Sequence, residues 1–194
     1  MHRYICDFIL DIVQNSFEAN SSLVELSLLE DNKYLTVIVK DNGKGMTKDV
    51  LNKVLDPYYT DGVKHNKRKV GLGLPFLVQC VNESGGSFEI DSTVNVGTKV
   101  KCVFDLCNID TPPIGDLCIT FLTLFSDPKA QELVIKRKID TSKGKSSYKY
   151  SKTELLDILG DFSTVSSLSL LKEFLLSQEE DLHQYYLDRK LIFK

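Results

Sequence analysis

Apolar positions in the first twenty residues recur at helical spacing. Ile5, Ile9, Ile12, Val13 and Ser16 fall on one side, which predicts a helix over about 5–20. The period then changes to two. "SLVELSLLE" and "KYLTVIVKD" alternate as strands, and the "DN" between them is a hairpin signal. "TKDVLNKVL" reads as a short helix capped by Thr47. The polar, irregular "DPYYTDGVKHNKRKV" follows. "GLPFLVQCVNES" is helical, with Pro75 in its first turn and Gly85-Gly86 as its stop. "SFEIDST" and "TKVKCVFDL" alternate as two further strands.

The pattern breaks at "CNIDTPPIGD", where two prolines and a glycine mark a boundary. Beyond it the periodicity predicts a helix around 115–126, a strand "ELVIKRKI", a turn "DTSKGK" and a strand "SSYKY". "SKTE" then has the form of a capping box before "LLDIL", and a last helix covers about 165–188. The chain therefore divides into residues 1–107 and a smaller α+β module, 108–194. The amphipathic "LSLLKEFLL" suits packing on its own hairpin or on the first region, and a partner-binding helix stays open.

Composition narrows the class. At 194 residues, 42 % hydrophobic and 26 % charged, the chain has the make-up of a soluble globular protein. A net charge of -3 offers no electrostatic case for nucleic acid or an anionic membrane. No apolar run approaches the roughly 20 residues of a membrane span, and the N-terminus lacks a cleavable leader pattern, so a cytoplasmic protein is expected. Five cysteines at irregular spacing match neither a disulfide framework nor paired metal ligands.

Four stretches carry chemistry. Asp11, Asn15 and Glu18 line a stripe of the first helix, away from its apolar face. By itself this fits a solvated face; it also fits an oxygen-ligand site for Mg²⁺. "DNGKGM" closes a strand: Asp41 can accept from an amino group, and Gly43 and Gly45 permit close backbone approach. "VGLGLPFL" sets glycines before a helix start, where free amides and the helix dipole favour phosphate. Neither the G-x-G-x-x-G fingerprint nor the G-x-x-x-x-G-K-[ST] loop is present, since Phe76 stands at the third glycine position. "NVGTKVKCVF" starts a strand with Gly97-Thr98, and the Thr98 hydroxyl can bridge a carboxylate and a purine nitrogen. Each stretch alone also reads as an ordinary turn or helix end.

Their order is the stronger signal. Asn on the first helix, Asp-x-Gly-x-Gly, a polar stretch, Gly-x-Gly before a helix and Gly-Thr before a strand together resemble the GHKL ATPase superfamily. The likeness covers about half of the chain and is greatest to the ATP-binding catalytic domain of sensor histidine kinases. It implies a Bergerat-type α/β two-layer sandwich, a mixed sheet with helices on one face, which binds ATP and Mg²⁺. In that resemblance Asn15 would ligate Mg²⁺ and Asp41 would take the adenine amine. Gly43, Gly45, Met46 and Thr98 would shape the adenine pocket. Gly71, Leu72, Gly73 and Leu74 would face the phosphates. Residues about 47–70 would form a lid anchored by Tyr58, Tyr59 and Thr60, with Lys64, Lys67 or Arg68 reaching the γ-phosphate.

Three departures qualify what the resemblance implies. Asp11 stands where the ATPases place a glutamate general base and is one methylene shorter, so slow or absent hydrolysis is expected. Asp61 stands where the lid often has lysine. No helical hairpin with a phosphoacceptor histidine precedes the first motif, and His183 reads as a solvated helix-face residue, so ordinary autophosphorylation is not expected. The expectation is a stand-alone, nucleotide-gated switch or protein kinase acting on a protein partner. A non-catalytic adaptor and an anti-sigma-like Ser/Thr kinase are the alternatives.

Overall fold

The computed structural model describes residues 3–55 and 73–186. Helix α1 (Ile5–Glu18) buries Ile5, Ile9, Ile12, Val13 and Ser16, the side that the 3.6-residue period marks. Strands β1 (Val24–Asp31) and β2 (Tyr34–Asp41) form the antiparallel hairpin, with Val24 opposite Asp41 and Glu30 opposite Leu35. Helix α2 (Lys48–Leu55) begins after Thr47, whose Oγ1 accepts from Val50 N at 3.3 Å. Helix α3 (Gly73–Glu83) stops where Gly85 takes φ +68° and Gly86 N returns to Val81 O at 2.9 Å. Strands β3 (Ser87–Thr93) and β4 (Gly97–Asp105) complete the first region.

The later residues add α4 (Leu117–Phe125), β5 (Leu133–Thr141), β6 (Gly144–Ser151), α5 (Lys152–Leu159) and α6 (Val165–His183). Ser151 and Glu154 form the capping box that "SKTE" predicts. All six strands lie in one mixed sheet of order β3-β4-β2-β1-β5-β6. Only β1 and β5 are parallel, and β5 takes the place beside β1 with Val24 opposite Leu133.

Alternation decides which sheet face is covered. Leu26, Leu28, Leu35, Val37, Val39, Val100, Cys102, Phe104, Leu133 and Ile135 point into one core with α1, α3, α4 and α6. The facing positions, such as Lys40, Lys99, Lys136 and Lys138, stay exposed. Arg137 falls on the inward side of β5, between Ile135 and Ile139, and is fully buried. Its Nη2 donates to the carboxylate of Glu30, itself 3 % exposed, in a pair that joins β5 to β1. Burial works against the guanidinium charge, but Glu30, Tyr186 and Glu179 outweigh it and hold Arg137 more firmly protonated. None of the described helices is long and apolar enough to cross a membrane.

Candidate functional site

Asp41 ends β2 and is 8 % exposed. Burying a carboxylate is costly unless donors meet it. Three do. Gly43 N (2.9 Å) and Thr98 N (3.3 Å) donate to Oδ1, and Ser16 Oγ donates to Oδ2 at 2.9 Å. The register of β2 and β4 sets Thr98 directly opposite Asp41, and the buried side of α1 delivers Ser16. Each carboxylate oxygen has two lone pairs, so Oδ2 keeps capacity for a further donor. The Thr98 hydroxyl lies 2.9 Å from Ser92 Oγ, and Ser92 Oγ in turn accepts from Met46 N at 2.9 Å.

The glycine-rich loop is shaped by what it packs on. Lys44 N donates to Ala19 O (3.0 Å), and Asn95 N donates to Lys44 O (2.8 Å), so the loop is pinned between the end of α1 and the β3–β4 turn. Gly45 has φ +60°, and a Cβ there would lie 2.0 Å from Thr93 O. A Cβ on Gly43 would lie 2.6 Å from Ser21 Oγ. These two glycines therefore answer first to neighbouring protein atoms, which fixes the wall on which Asp41 and Met46 sit.

The α1 stripe reaches the neighbouring helix start. Asp11 is half-buried, and Asn15 and Glu18 are exposed. A Cβ on Gly73 would stand 3.0 Å from Asp11 Oδ2, so the N-terminus of α3 is built against Asp11. Gly73 and Leu74, both half-buried, open that helix, whose first amides lack intrahelical partners. Glu18, the outer acid of the stripe, pairs through Oε1 with Lys129 Nζ at 3.0 Å on the surface. Tyr58, Tyr59, Thr60, Lys64, Lys67, Arg68, Gly71 and Leu72 lie outside the described residues.

The structure thus brings Asp41 together with Gly43, Thr98 and Ser16, links Met46 to Thr98 through Ser92, and sets Gly73 against Asp11, with Asn15 exposed on the same helix as Asp11. Sequence reasoning missed Ser16 and Ser92. Ser16 was legible only as a polar residue on the apolar side of α1, and Ser92 as an inward position of β3.

The donor set fits a purine nucleotide better than a protein-caged metal. Asp41 offers an acceptor for an amine, Asn15 an exposed amide oxygen, and the α3 start free N–H groups. Among the described residues no group of three or more His, Cys, Asp or Glu could hold a metal ion.

A mixed sheet with a buried strand-end aspartate facing an asparagine-bearing helix and a glycine-led helix start defines an ATPase-type nucleotide domain. The family model "Histidine kinase-, DNA gyrase B-, and HSP90-like ATPase" matches residues 3–108, and the chain belongs to that family. Domains of this family bind ATP. A putative sensor protein of Shewanella frigidimarina is 28 % identical over 105 residues, 53 % of this chain and 16 % of that protein. Sensor histidine kinase YvrG of Bacillus subtilis is 29 % identical over 97 residues, 48 % of this chain and 17 % of that one. Sporulation kinase C of the same organism is 27 % identical over 99 residues, 50 % and 22 % of the two chains. The chain spans less than a quarter of these relatives. Among solved structures, the Aquifex aeolicus MutL ATPase domain complexed with ADP aligns at TM-score 0.42 and 12 % identity, covering 90 % of this chain and 70 % of that one.

Proposed function

We propose that the protein binds ATP with Mg²⁺ and acts as a nucleotide-gated switch or protein kinase on a protein partner. The observation that carries the nucleotide part is Asp41: a carboxylate nine-tenths buried, held by three protein donors, with one oxygen still able to accept. In this reading Asp41 receives the adenine amine and Thr98, Met46, Gly43 and Gly45 form the wall around it. Asn15 holds Mg²⁺, and the α3 start at Gly73 and Leu74, together with Gly71 and Leu72, receives the phosphates. Tyr59, Lys64 and Arg68 belong to the lid. ATP supplies the transferable phosphoryl group and the closure energy; the chain binds, orients and excludes water. Residues 108–194 form the partner-facing module, and the setting is cytoplasmic.

Asp11 decides between switch and enzyme. Its position against Gly73 suits a general base at the phosphate end, while its short side chain favours a second reading, an adaptor whose nucleotide is structural. Phosphate release and phosphoryl transfer, measured with a partner recovered in the presence of ATP, separate the two. The kinase reading expects Asn15→Ala to lower the rate at least about tenfold, as when a group acting on the reacting phosphate is lost. Equal rates for wild type and Asn15→Ala leave the adaptor.

A further inference from the structure

The inward side of β3 ends on a polar residue. Phe88 and Ile90 pack against the core, and Ser92 is the next residue on that side, half-buried. The register of β3 and β4 sets Ser92 opposite Thr98, and that of β4 and β2 sets Thr98 opposite Asp41. Ser92, Thr98 and Asp41 therefore form one row across three adjacent strands.

Ser92 Oγ has three polar neighbours among the described residues. Met46 N can only donate, so at 2.9 Å it occupies one lone pair of Ser92 Oγ. The serine has one proton of its own to give. Its acceptors are Thr98 Oγ1 at 2.9 Å and Gly97 O at 3.2 Å. The first is nearer the usual hydroxyl-pair distance of about 2.7–2.8 Å. When Ser92 donates to Thr98, Thr98 Oγ1 is an acceptor on the protein side and its own proton is free for a ligand. When Ser92 donates to Gly97, Thr98 donates to Ser92 and offers a ligand only lone pairs.

Asp41 separates the two arrangements. Its Oδ2, which takes Ser16 Oγ, keeps capacity for one further donor. The amine of a 6-aminopurine has an acceptor ring nitrogen on either side, N1 and N7. A base with its amine on Asp41 thus brings an acceptor beside it, and a donating Thr98 is the complement.

We propose that Ser92 is a positioning residue for base recognition. By donating to Thr98 Oγ1 it turns the Thr98 hydroxyl outward, as a donor to the ring nitrogen beside the amine. Met46 N holds Ser92 from the segment that enters α2. The inference rests on the nucleotide reading of Asp41 and adds to it a residue that acts through Thr98.

The test is calorimetric titration of the full-length chain, with Mg²⁺, by ATP, 1-deaza-ATP and 7-deaza-ATP. Each analogue lacks one acceptor nitrogen and keeps the amine. One of them is expected to bind about three- to tenfold more weakly than ATP, the worth of one neutral hydrogen bond, and it identifies the nitrogen. Ser92→Ala is expected to lower ATP to the affinity of that analogue and to leave the analogue nearly unchanged. Ser92→Cys, close in size and only a weak donor, is the second variant and is expected to act in the same direction. Ser92→Thr, which keeps the hydroxyl and suits a strand, is expected to restore the difference. Thr98→Val removes the donor itself, and adding Ser92→Ala to it is expected to change the ratio of ATP to analogue no further. Equal weakening of ATP and both analogues in the Ser92 variants marks a merely structural serine and overturns the proposal. So does a wild type that binds both analogues as tightly as ATP. A wild type that binds no ATP is a different result, which removes the nucleotide reading and this inference with it.

Discussion

Ser16 and Asp41 show how a single side chain is drawn out of a core role. The helical period assigns Ser16 to the buried side of α1 with Ile9, Ile12 and Val13, and it is buried there. Its hydroxyl nevertheless serves Asp41 Oδ2 at 2.9 Å rather than filling space. Hydrogen bonds to charged groups contribute roughly 1.5–3 kcal/mol, more than neutral ones. Ser16→Ala is therefore expected to destabilise the protein by about 2 kcal/mol in urea unfolding, with a parallel loss of ATP affinity; unchanged values in both measurements contradict the assignment. The glycines of "DNGKGM" and the Gly-Thr pair were legible because backbone constraint leaves a mark in residue type. Ser16 was not, because serine on an apolar face has many meanings and only the fold brings Asp41 to it. The lysine and tyrosine contacts expected of the lid fall outside the described residues.

At the scale of elements, period and punctuation sufficed for existence and type. The helices and strands stand where 3.6- and 2-residue alternation, the "SKTE" cap and the Gly85-Gly86 stop predict them. Pairing across long separations was not legible: that β5 runs parallel to β1 depends on register between residues more than a hundred apart. Arg137 bears on that register. The alternation Leu133, Ile135, Arg137, Ile139 puts a charge on the core face, and Glu30, which faces Ile139 on the neighbouring strand and accepts from Arg137, makes the placement tolerable. Removing one partner of a buried pair strands the other. Arg137→Met is expected to cost about 3–5 kcal/mol, and adding Glu30→Gln should restore a large part of it. Unfolding curves for the single and double variants check this, and a fully additive loss contradicts it.

For the molecule as a whole, the core of the sheet and the helices holds several groups neutral. Burial pushes the Cys6 thiol from 9.0 up to about 11, the Cys102 thiol from 9.0 up to about 12, and the Tyr186 phenol from 10.0 up to about 12. An unfolded chain releases these protons at the ordinary values, whereas the folded chain keeps them. The stability they contribute is complete below about pH 9 and falls as pH rises toward about 12, by about 1.4 kcal/mol per pH unit for each group titrating only in the unfolded state. Urea midpoints should therefore drop between about pH 8 and about pH 10.5, and a flat profile contradicts the burial of these groups.

The family match and the arrangement of Asp41, Asn15 and the α3 start meet in one claim, that this chain binds ATP with magnesium through Asp41. Calorimetric titration of the intact protein with ATP, with and without Mg²⁺, tests it most directly. Magnesium-dependent binding is predicted, weakened about ten- to a hundredfold in Asp41→Asn, where an acceptor for the adenine amine is replaced by a donor. Absence of magnesium-dependent binding in the wild type, or wild-type affinity in Asp41→Asn, contradicts it.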